Sequence, residues 1–290
     1  MIAPTLCLLA AALVLFAFFR FRSPEARRKR LIHRYLELVD RSRYFLHAMG
    51  GMDGVDSYTN SLDAMKYWYQ RGFRLFEADV SLTSDGVPVL AHSVEDVWKK
   101  KDWEQRLGQP YDKKHPSATF EQFMSFTIQG KNHATSFSQL LDYLEQHKDL
   151  FVLVDVGRRS YESTAKIYRA MVEAAKGREQ VLDQLIAGGH TTEMMAAVEE
   201  RYDFPIKNLY YAAEKVRDPA LATPAAFAAY CQAHHVLSYS IAVKTVTPEI
   251  VSDLKAAGLR SYVFAVNDEE EAGHLFQMGV DMVGSDFLRD

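Results

Sequence analysis

Two histidines and two acids in the first third of the chain have the residue types and the spacing of a catalytic site. His47 and His92 lie at the ends of apolar runs, and Glu77 and Asp79 lie between them, two residues apart in a strand-like segment. A β-strand directs residues i and i+2 to the same face. Carboxylates on the inner face of an apolar strand are costly to bury unless they are paired or bind a metal. The spacing therefore predicts a functional site.

A third acid, Asp155, ends the later apolar run FVLVD. With Glu77 and Asp79 it makes a set of three carboxylates that includes no cysteine and no HxxxH spacing. Oxygen ligands of this kind suit Mg²⁺ or Ca²⁺ rather than zinc. A divalent cation would polarise a phosphoryl oxygen, and imidazoles exchange protons near neutral pH. We therefore expect cleavage of a phosphoester, with His47 and His92 as general acid and base.

Eight short apolar runs alternate with helical patterns after residue 43 and must position these side chains. Eight strand and helix units favour an α/β fold closed into a (β/α)₈ TIM barrel over a doubly wound sheet. A hairpin is predicted at 83–93, and residues 94–133, which have no steady period, are predicted to be an insertion over the barrel. The predicted strands are 44–47, 75–80, 151–156, 184–187, 208–211, 236–241, 261–266 and 281–284.

Active sites of such barrels lie at the C-terminal ends of the strands. Polar residues that follow the predicted strands are therefore candidates for substrate binding, although Asn267 and Asp286 could equally be helix caps. The candidates predicted from this position are His190, Tyr211, Lys244 and Asn267.

Composition excludes several classes of protein. With 48% hydrophobic and 25% charged residues, the chain is globular rather than disordered. Its 34 basic and 38 acidic residues give a net charge of −4, which argues against a nucleic-acid partner. Two cysteines, Cys7 and Cys231, provide neither a disulfide framework nor a cysteine metal site, as is typical of a reducing compartment.

The N-terminal residues have a separate pattern. Residues 2–19 carry no charge, and a helix of this length comes close to spanning a hydrocarbon core of about 30 Å. We expect a transmembrane anchor at 1–21; a cleaved signal peptide and a buried helix are the alternatives. The basic stretch at 22–43 favours a cytoplasmic body by the positive-inside rule and would attract anionic lipid. The same stretch predicts a helix capped by Ser23, with Pro24 at its first position.

Several motifs in this order resemble the glycerophosphodiester phosphodiesterase superfamily. They are HAMGG, YTNSLDAM, the ExD of FEADV, DGVPVLAH, FVLVDVG and VFAVNDEEEAGHLFQMGVDMVGSD. The resemblance covers the body at 44–290 and implies a (β/α)₈ barrel that hydrolyses phosphodiesters with two histidines and one divalent metal. By position, His47 and His92 match the acid and base, and Glu77, Asp79 and Asp155 match the metal ligands. An aspartate as third ligand is similar to the sphingomyelinase D branch.

The chain departs from the family pattern at the expected phosphate contacts. Ala48 stands where the family commonly has arginine, and Gly157 stands where it commonly has lysine. Asn60 matches the asparagine of the family's ENT-like block, without the acid before it, and is a further substrate-binding candidate. Lys244 or Lys131 could replace the missing cations.

Three functions stay open on the sequence alone. The first is a metal-dependent phosphodiesterase that acts on a glycerophosphodiester or a lysophospholipid-like diester, a small-molecule or lipid substrate. The second is a degenerate barrel that binds a phosphate head group or a partner without catalysis. The third is an enzyme that forms a cyclic phosphate by attack of the substrate's own hydroxyl.

Overall fold

The computed structural model describes residues 23–52, 57–94, 118–128, 131–212 and 218–288. Within them, eight parallel strands close into a barrel, because β1 pairs with both β2 and the last strand, β11. The predicted TIM barrel is confirmed. The strands are β1 Tyr44–Leu46, β2 Leu75–Leu82, β3 Pro88–Leu90, β4 Thr127–Ile128, β5 Asn132–His133, β6 Phe151–Asp155, β7 Leu185–Gly189, β8 Ile206–Tyr210, β9 Ser238–Ala242, β10 Arg260–Phe264 and β11 Met282–Ser285.

Helices follow the strands around the outside of the barrel. Apolar residues of the outward strand faces pack against them in two large buried clusters. The helices are α1 Pro24–Arg41, α2 Leu62–Tyr69, α3 Phe120–Met124, α4 Phe137–Gln146, α5 Tyr161–Ala174, α6 Thr192–Glu199, α7 Pro224–Ala233, α8 Pro248–Ala256 and α9 Glu269–Gln277.

Strand β2 is longer than its neighbours in the barrel. Beyond the barrel wall it pairs antiparallel with β3, with Val80 opposite Leu90. The turn between them contains Gly86 with φ +84°, a conformation that glycine adopts at low cost. The hairpin predicted at 83–93 is therefore present. Most of the insertion predicted at 94–133 lies outside the described residues; its described part forms α3 and the short ladder of β4 with β5.

Helix α1 closes the end of the barrel where the strands begin. Ser23 accepts a hydrogen bond from the Ala26 N–H and Pro24 is the first helical residue, as predicted. Tyr35 and Val39 are buried among residues at the strand starts, and the Tyr35 ring lies 5.8 Å from that of Phe151.

Charged pairs also fix α1 to the barrel. Arg27 lies 2.7 Å from Asp183, and Arg28 lies 2.7 Å from Asp203. Part of the basic stretch therefore serves to dock the helix on the protein's own acids.

Across the described ranges, no helix combines the length and the apolar character that crossing a membrane requires. The anchor predicted at 1–21 lies outside those ranges.

Candidate active site

Three carboxylates lie together inside the barrel at the C-terminal ends of two neighbouring strands. Glu77 and Asp79 point inward from β2, and each is 3% exposed. Parallel pairing sets Asp79 beside Asp155 of β6 in register. One oxygen of each carboxylate lies within 4.8 Å of the others. The structure thus brings together all three acids that the sequence predicted as metal ligands.

The acids are electrostatically strained as a group. Burial, together with the charges of Asp79 and Asp155, raises the pKa of Glu77 well above its usual range. Burial and the charge of Asp155 raise the pKa of Asp79 to about 6. A divalent cation would relieve this repulsion, and an all-carboxylate donor set fits a hard cation such as Mg²⁺ or Ca²⁺.

A left-handed turn after β1 helps to hold Glu77. Ala48 and Met49 have φ of +45° and +65°, and this turn directs the Ala48 N–H to Glu77 Oε2 at 2.6 Å. Ala48 is fully buried. An N–H of this kind orients the carboxylate and favours its ionised form.

Two residues predicted to bind substrate hold the other acids, and His190 also lines the cavity described below. Asn60 donates from Nδ2 to Asp79 Oδ2 at 2.8 Å and accepts the Asp79 N–H at 2.9 Å. His190 Nε2 lies 3.0 Å from Asp155 Oδ1, which also accepts the Gly157 N–H. Burial alone would raise the pKa of Asp155, but the hydrogen bond and charge of His190 hold it below its usual range.

His47 is held by a carboxylate from the last strand end. Its Nδ1 lies 3.1 Å from Asp286 Oδ1, and Asp286 is 5% exposed. Asn267 donates to Asp286 Oδ2 at 2.7 Å and accepts the Asp286 N–H. Asn267 therefore positions Asp286 and does not cap α9, whose cap is Asp268.

Asp286 was not among the predicted site residues. Its signal in the sequence was its position directly after the last strand, which a helix cap explained equally well. Its partner His47 is 239 residues away, so only the closed barrel brings the two together.

His92 faces the same space from the end of the β2–β3 hairpin. Tyr58, which the sequence did not single out, lies edge-on to both histidines, with ring centroids 5.0 Å from His47 and 5.9 Å from His92. Tyr58 is 40% exposed and has φ +68°. It therefore covers the space between the two histidines.

The acids and both histidines line one cavity of about 340 Å³. Its opposite wall is mixed apolar and polar: Asn208 donates to Ser240 at 2.6 Å, and Tyr210 and Phe264 present rings 5.7 Å apart. Within the described part of the chain, the buried Tyr262 hydroxyl beside this wall has no hydrogen-bond partner.

Two predicted substrate contacts lie away from the cavity. Tyr211 is buried on the outer side of the barrel, where its ring packs edge-on against Phe227. Because strand side chains alternate, its neighbour Tyr210 is the one that lines the cavity. Lys244 is exposed in the turn after β9 and does not line the cavity. The assignments of Tyr211 and Lys244 to substrate binding are therefore corrected.

The arrangement combines an acidic cation site with two proton-transfer groups. A cation held by the three carboxylates would draw a substrate phosphate into the cavity that both histidines line. A carboxylate behind His47 stabilises the imidazolium that forms when the ring accepts a proton. These carboxylates and histidines are the groups that acid–base cleavage of a phosphoester requires.

Comparison with known proteins supports this interpretation. A sequence model described as "Glycerophosphoryl diester phosphodiesterase family" matches residues 52–289, more than half of the chain. No curated protein sequence gives a significant match.

Similar solved structures share the fold. A phosphodiesterase from Oleispira antarctica, in complex with the product sn-glycerol-3-phosphate, is 17% identical with a TM-score of 0.62, over 84% of this chain and 92% of that one. A glycerophosphodiester phosphodiesterase from Parabacteroides distasonis is 17% identical with a TM-score of 0.63, over 84% and 93%. One from Thermotoga maritima is 16% identical with a TM-score of 0.59, over 84% and 94%.

Proposed function

The chain belongs to the glycerophosphoryl diester phosphodiesterase family and is a phosphoric diester hydrolase, and we propose that it hydrolyses a glycerophosphodiester or a closely related diester by two-histidine catalysis. The observation that carries the proposal is the single cavity lined by three clustered carboxylates and by His47, which Asp286 holds. The solved relative that contains sn-glycerol-3-phosphate supports a small phosphodiester as the substrate class.

Glu77, Asp79 and Asp155 would hold one divalent cation, Mg²⁺ or Ca²⁺. When bound, the cation supplies charge stabilisation to a phosphoryl oxygen. The protein contributes the geometry of its ligands: the Ala48 N–H and Asn60 fix the two acids of β2. Ligands held in this way are ready for a cation without rearrangement.

His47 is the better placed of the two histidines to act as the base. With Nδ1 engaged by Asp286, its Nε2 is left to remove a proton from the attacking water. His92 then gives a proton to the leaving alcohol oxygen. Tyr58, edge-on to both rings, limits the space in which water can approach them.

Matched variants test this function. We expect wild-type protein to turn over glycerophosphodiesters with Mg²⁺ or Ca²⁺ and to lose activity with a chelator. Because a positioned acid or base contributes roughly 10²- to 10⁴-fold, His47→Gln and His92→Gln should each lower kcat by that order. Glu77→Gln should weaken cation binding and activity together.

His133→Gln is the control, because this exposed histidine pairs with Asp63 and does not line the cavity. It should turn over substrate as the wild type does. Wild-type protein that shows no cation-dependent turnover on a panel of diesters, but binds them in a calorimeter, would contradict catalysis and favour a barrel that only binds.

We also propose that residues 1–21 anchor the enzyme in a membrane with the barrel in the cytoplasm. The charge-free run at 2–19 and the basic stretch after it support this topology. In sealed inside-out vesicles, added protease should digest the barrel without detergent. Digestion only after detergent would contradict the topology.

A further inference from the structure

The charges that line the cavity do not balance around a phosphodiester. Glu77, Asp79 and Asp155 carry three negative charges when they surround a divalent cation, which offsets two of them. The substrate brings one more negative charge. A positively charged side chain near the phosphate would reduce the remaining repulsion between the substrate and the acids.

Within the described residues, one Lys or Arg lines this cavity, and it is Arg158. We propose that Arg158 binds the non-bridging oxygens of the phosphodiester and so completes its binding site. This inference rests on the proposed function and names the residue that recognises the anion. A guanidinium is suited to the task because it is always charged and can donate two parallel hydrogen bonds to phosphate.

The turn after β6 brings Arg158 to the cavity that the three acids line. Asp155 ends the strand and accepts the Gly157 N–H at 2.6 Å, and Gly157 has φ +64°. This tight turn keeps the next residue at the rim of the barrel instead of leading the chain away. Arg158 is exposed there and lines the same cavity as the buried carboxylates.

Other positions near the site do not provide this charge. Ala48, next to His47, is fully buried with its N–H on Glu77, and Gly157 has no side chain. Lys131 and Lys244 are exposed but do not line the cavity.

Arg159 offers a matched control in the next position. Its Nε donates to the Val156 carbonyl at 2.5 Å, and it lines a separate depression with Ser81. The substitution Arg159→Gln removes one positive charge, as Arg158→Gln does, but changes a residue that does not line the cavity.

The test compares Arg158→Gln, Arg158→Lys and Arg159→Gln in the full chain. We expect Arg158→Gln to raise KM and to weaken the binding of inorganic phosphate, measured by calorimetry with Mg²⁺ present, by about 10- to 100-fold, the range of a charge-assisted hydrogen bond. Arg158→Lys should recover part of the binding, and Arg159→Gln should bind phosphate as the wild type does.

Phosphate binding by Arg158→Gln that equals wild-type binding would overturn the inference, as would an equal loss in Arg159→Gln. The thermal midpoint of each variant, measured alongside, shows that it is folded. If the wild type binds phosphate but hydrolyses no diester, the proposed function fails, and the comparison of phosphate affinities still decides the role of Arg158.

Discussion

His47 depends on a carboxylate that the barrel brings to it from the far end of the chain. Asp286 is buried, lies 3.1 Å from His47 Nδ1 and is itself held by Asn267. We predict that Asp286→Asn lowers kcat by roughly 10²-fold or more, because the amide cannot stabilise the imidazolium or fix its tautomer. KM should change little, since Asp286 does not line the cavity. Steady-state kinetics measure both.

Asp253→Asn is the control for that prediction, because Asp253 is an exposed carboxylate on α8. Its kcat should equal that of the wild type. Unchanged kcat in folded Asp286→Asn would show that His47 needs no carboxylate partner.

Cation binding should depend on pH through the same acids. The pKa of Asp79 is raised to about 6 in the folded, cation-free protein. Asp79 therefore keeps its proton up to a higher pH in the folded protein than in the unfolded chain. The stability of the cation-free protein therefore falls as the pH rises from about 4 to 6, because the folded state binds more protons than the unfolded state. Cation affinity should rise with pH in the range of about 5 to 7, since the proton must leave first.

Thermal midpoints with and without Ca²⁺ or Mg²⁺ at about pH 5 and pH 7.5 measure this linkage. The upward shift caused by the cation should be larger at the higher pH. A shift of equal size at both pH values would contradict proton competition at Asp79.

Periodicity decided which residues of the site could be predicted from the sequence. Glu77, Asp79 and Asp155 were predictable because alternation along a strand needs only local sequence. At β8 the same alternation means that an error of one residue in the predicted strand end exchanges the two faces. The prediction therefore selected Tyr211 in place of Tyr210. His190 was predicted from its position after a strand and Asn60 from the family resemblance, but their acid partners could be identified only after the strands were placed side by side.

At the scale of elements, α1 is a structural part of the barrel. Tyr35 is 1% exposed and packs on Phe151 at the strand starts. We predict that Tyr35→Ala lowers the free energy of unfolding by about 3 kcal/mol, the usual cost of deleting a large buried ring. Chemical denaturation measures the loss.

His33→Ala changes an exposed residue of the same helix and should shift stability by less than about 0.5 kcal/mol. Equal stability of Tyr35→Ala and the wild type would show that α1 does not contribute to the fold.

Strand β11 is shaped by a side chain of its neighbour. A Cβ at Gly284 would lie 2.5 Å from the hydroxyl oxygen of Tyr262. The ring of Tyr262 packs against Phe45. We predict that Gly284→Ala destabilises the protein by about 1 to 3 kcal/mol through overpacking and lowers activity, because Tyr262 lines the cavity.

Gly273→Ala is the matched control, since Gly273 lies inside α9 with open space around the added atom. Alanine there should leave activity unchanged and stabilise the helix by roughly 0.5 to 1 kcal/mol. Equal thermal midpoints for Gly284→Ala and the wild type would contradict the predicted clash.

Local sequence determined most element positions, and tertiary contacts determined the rest. Helical periodicity in the sequence begins near Tyr161, Thr192, Pro224 and Pro248, and helices α5, α6, α7 and α8 begin at those residues. Thr247 caps α8, as its Thr-Pro-Glu pattern indicates. The sequence pattern also predicts a helix that begins near Ser57, but α2 begins at Leu62. Asn60, just before it, has φ +44° and is bound to Asp79, so the site keeps this segment out of the helix.

At the scale of the whole molecule, structural and chemical parts occupy opposite ends of the barrel. Helix α1 covers the end where the strands begin, and the cavity opens where they finish. The fold was predictable because eight alternating units admit few closed arrangements. The cavity wall opposite the acids was not predictable from the sequence. Its residues, such as Asn208 and Ser240, resemble ordinary strand residues until the barrel closes.

The central claim is that this cavity hydrolyses phosphodiesters with the three acids and His47. Phosphorus NMR of one glycerophosphodiester, incubated with wild-type protein and with His47→Gln, tests it most directly. The wild type with Mg²⁺ or Ca²⁺ should convert the diester resonance to that of a phosphomonoester, chelator should stop the conversion, and His47→Gln should show almost none. An unchanged diester resonance with the cation present would contradict the claim, and accumulation of a cyclic phosphate would show attack by the substrate's own hydroxyl instead of water.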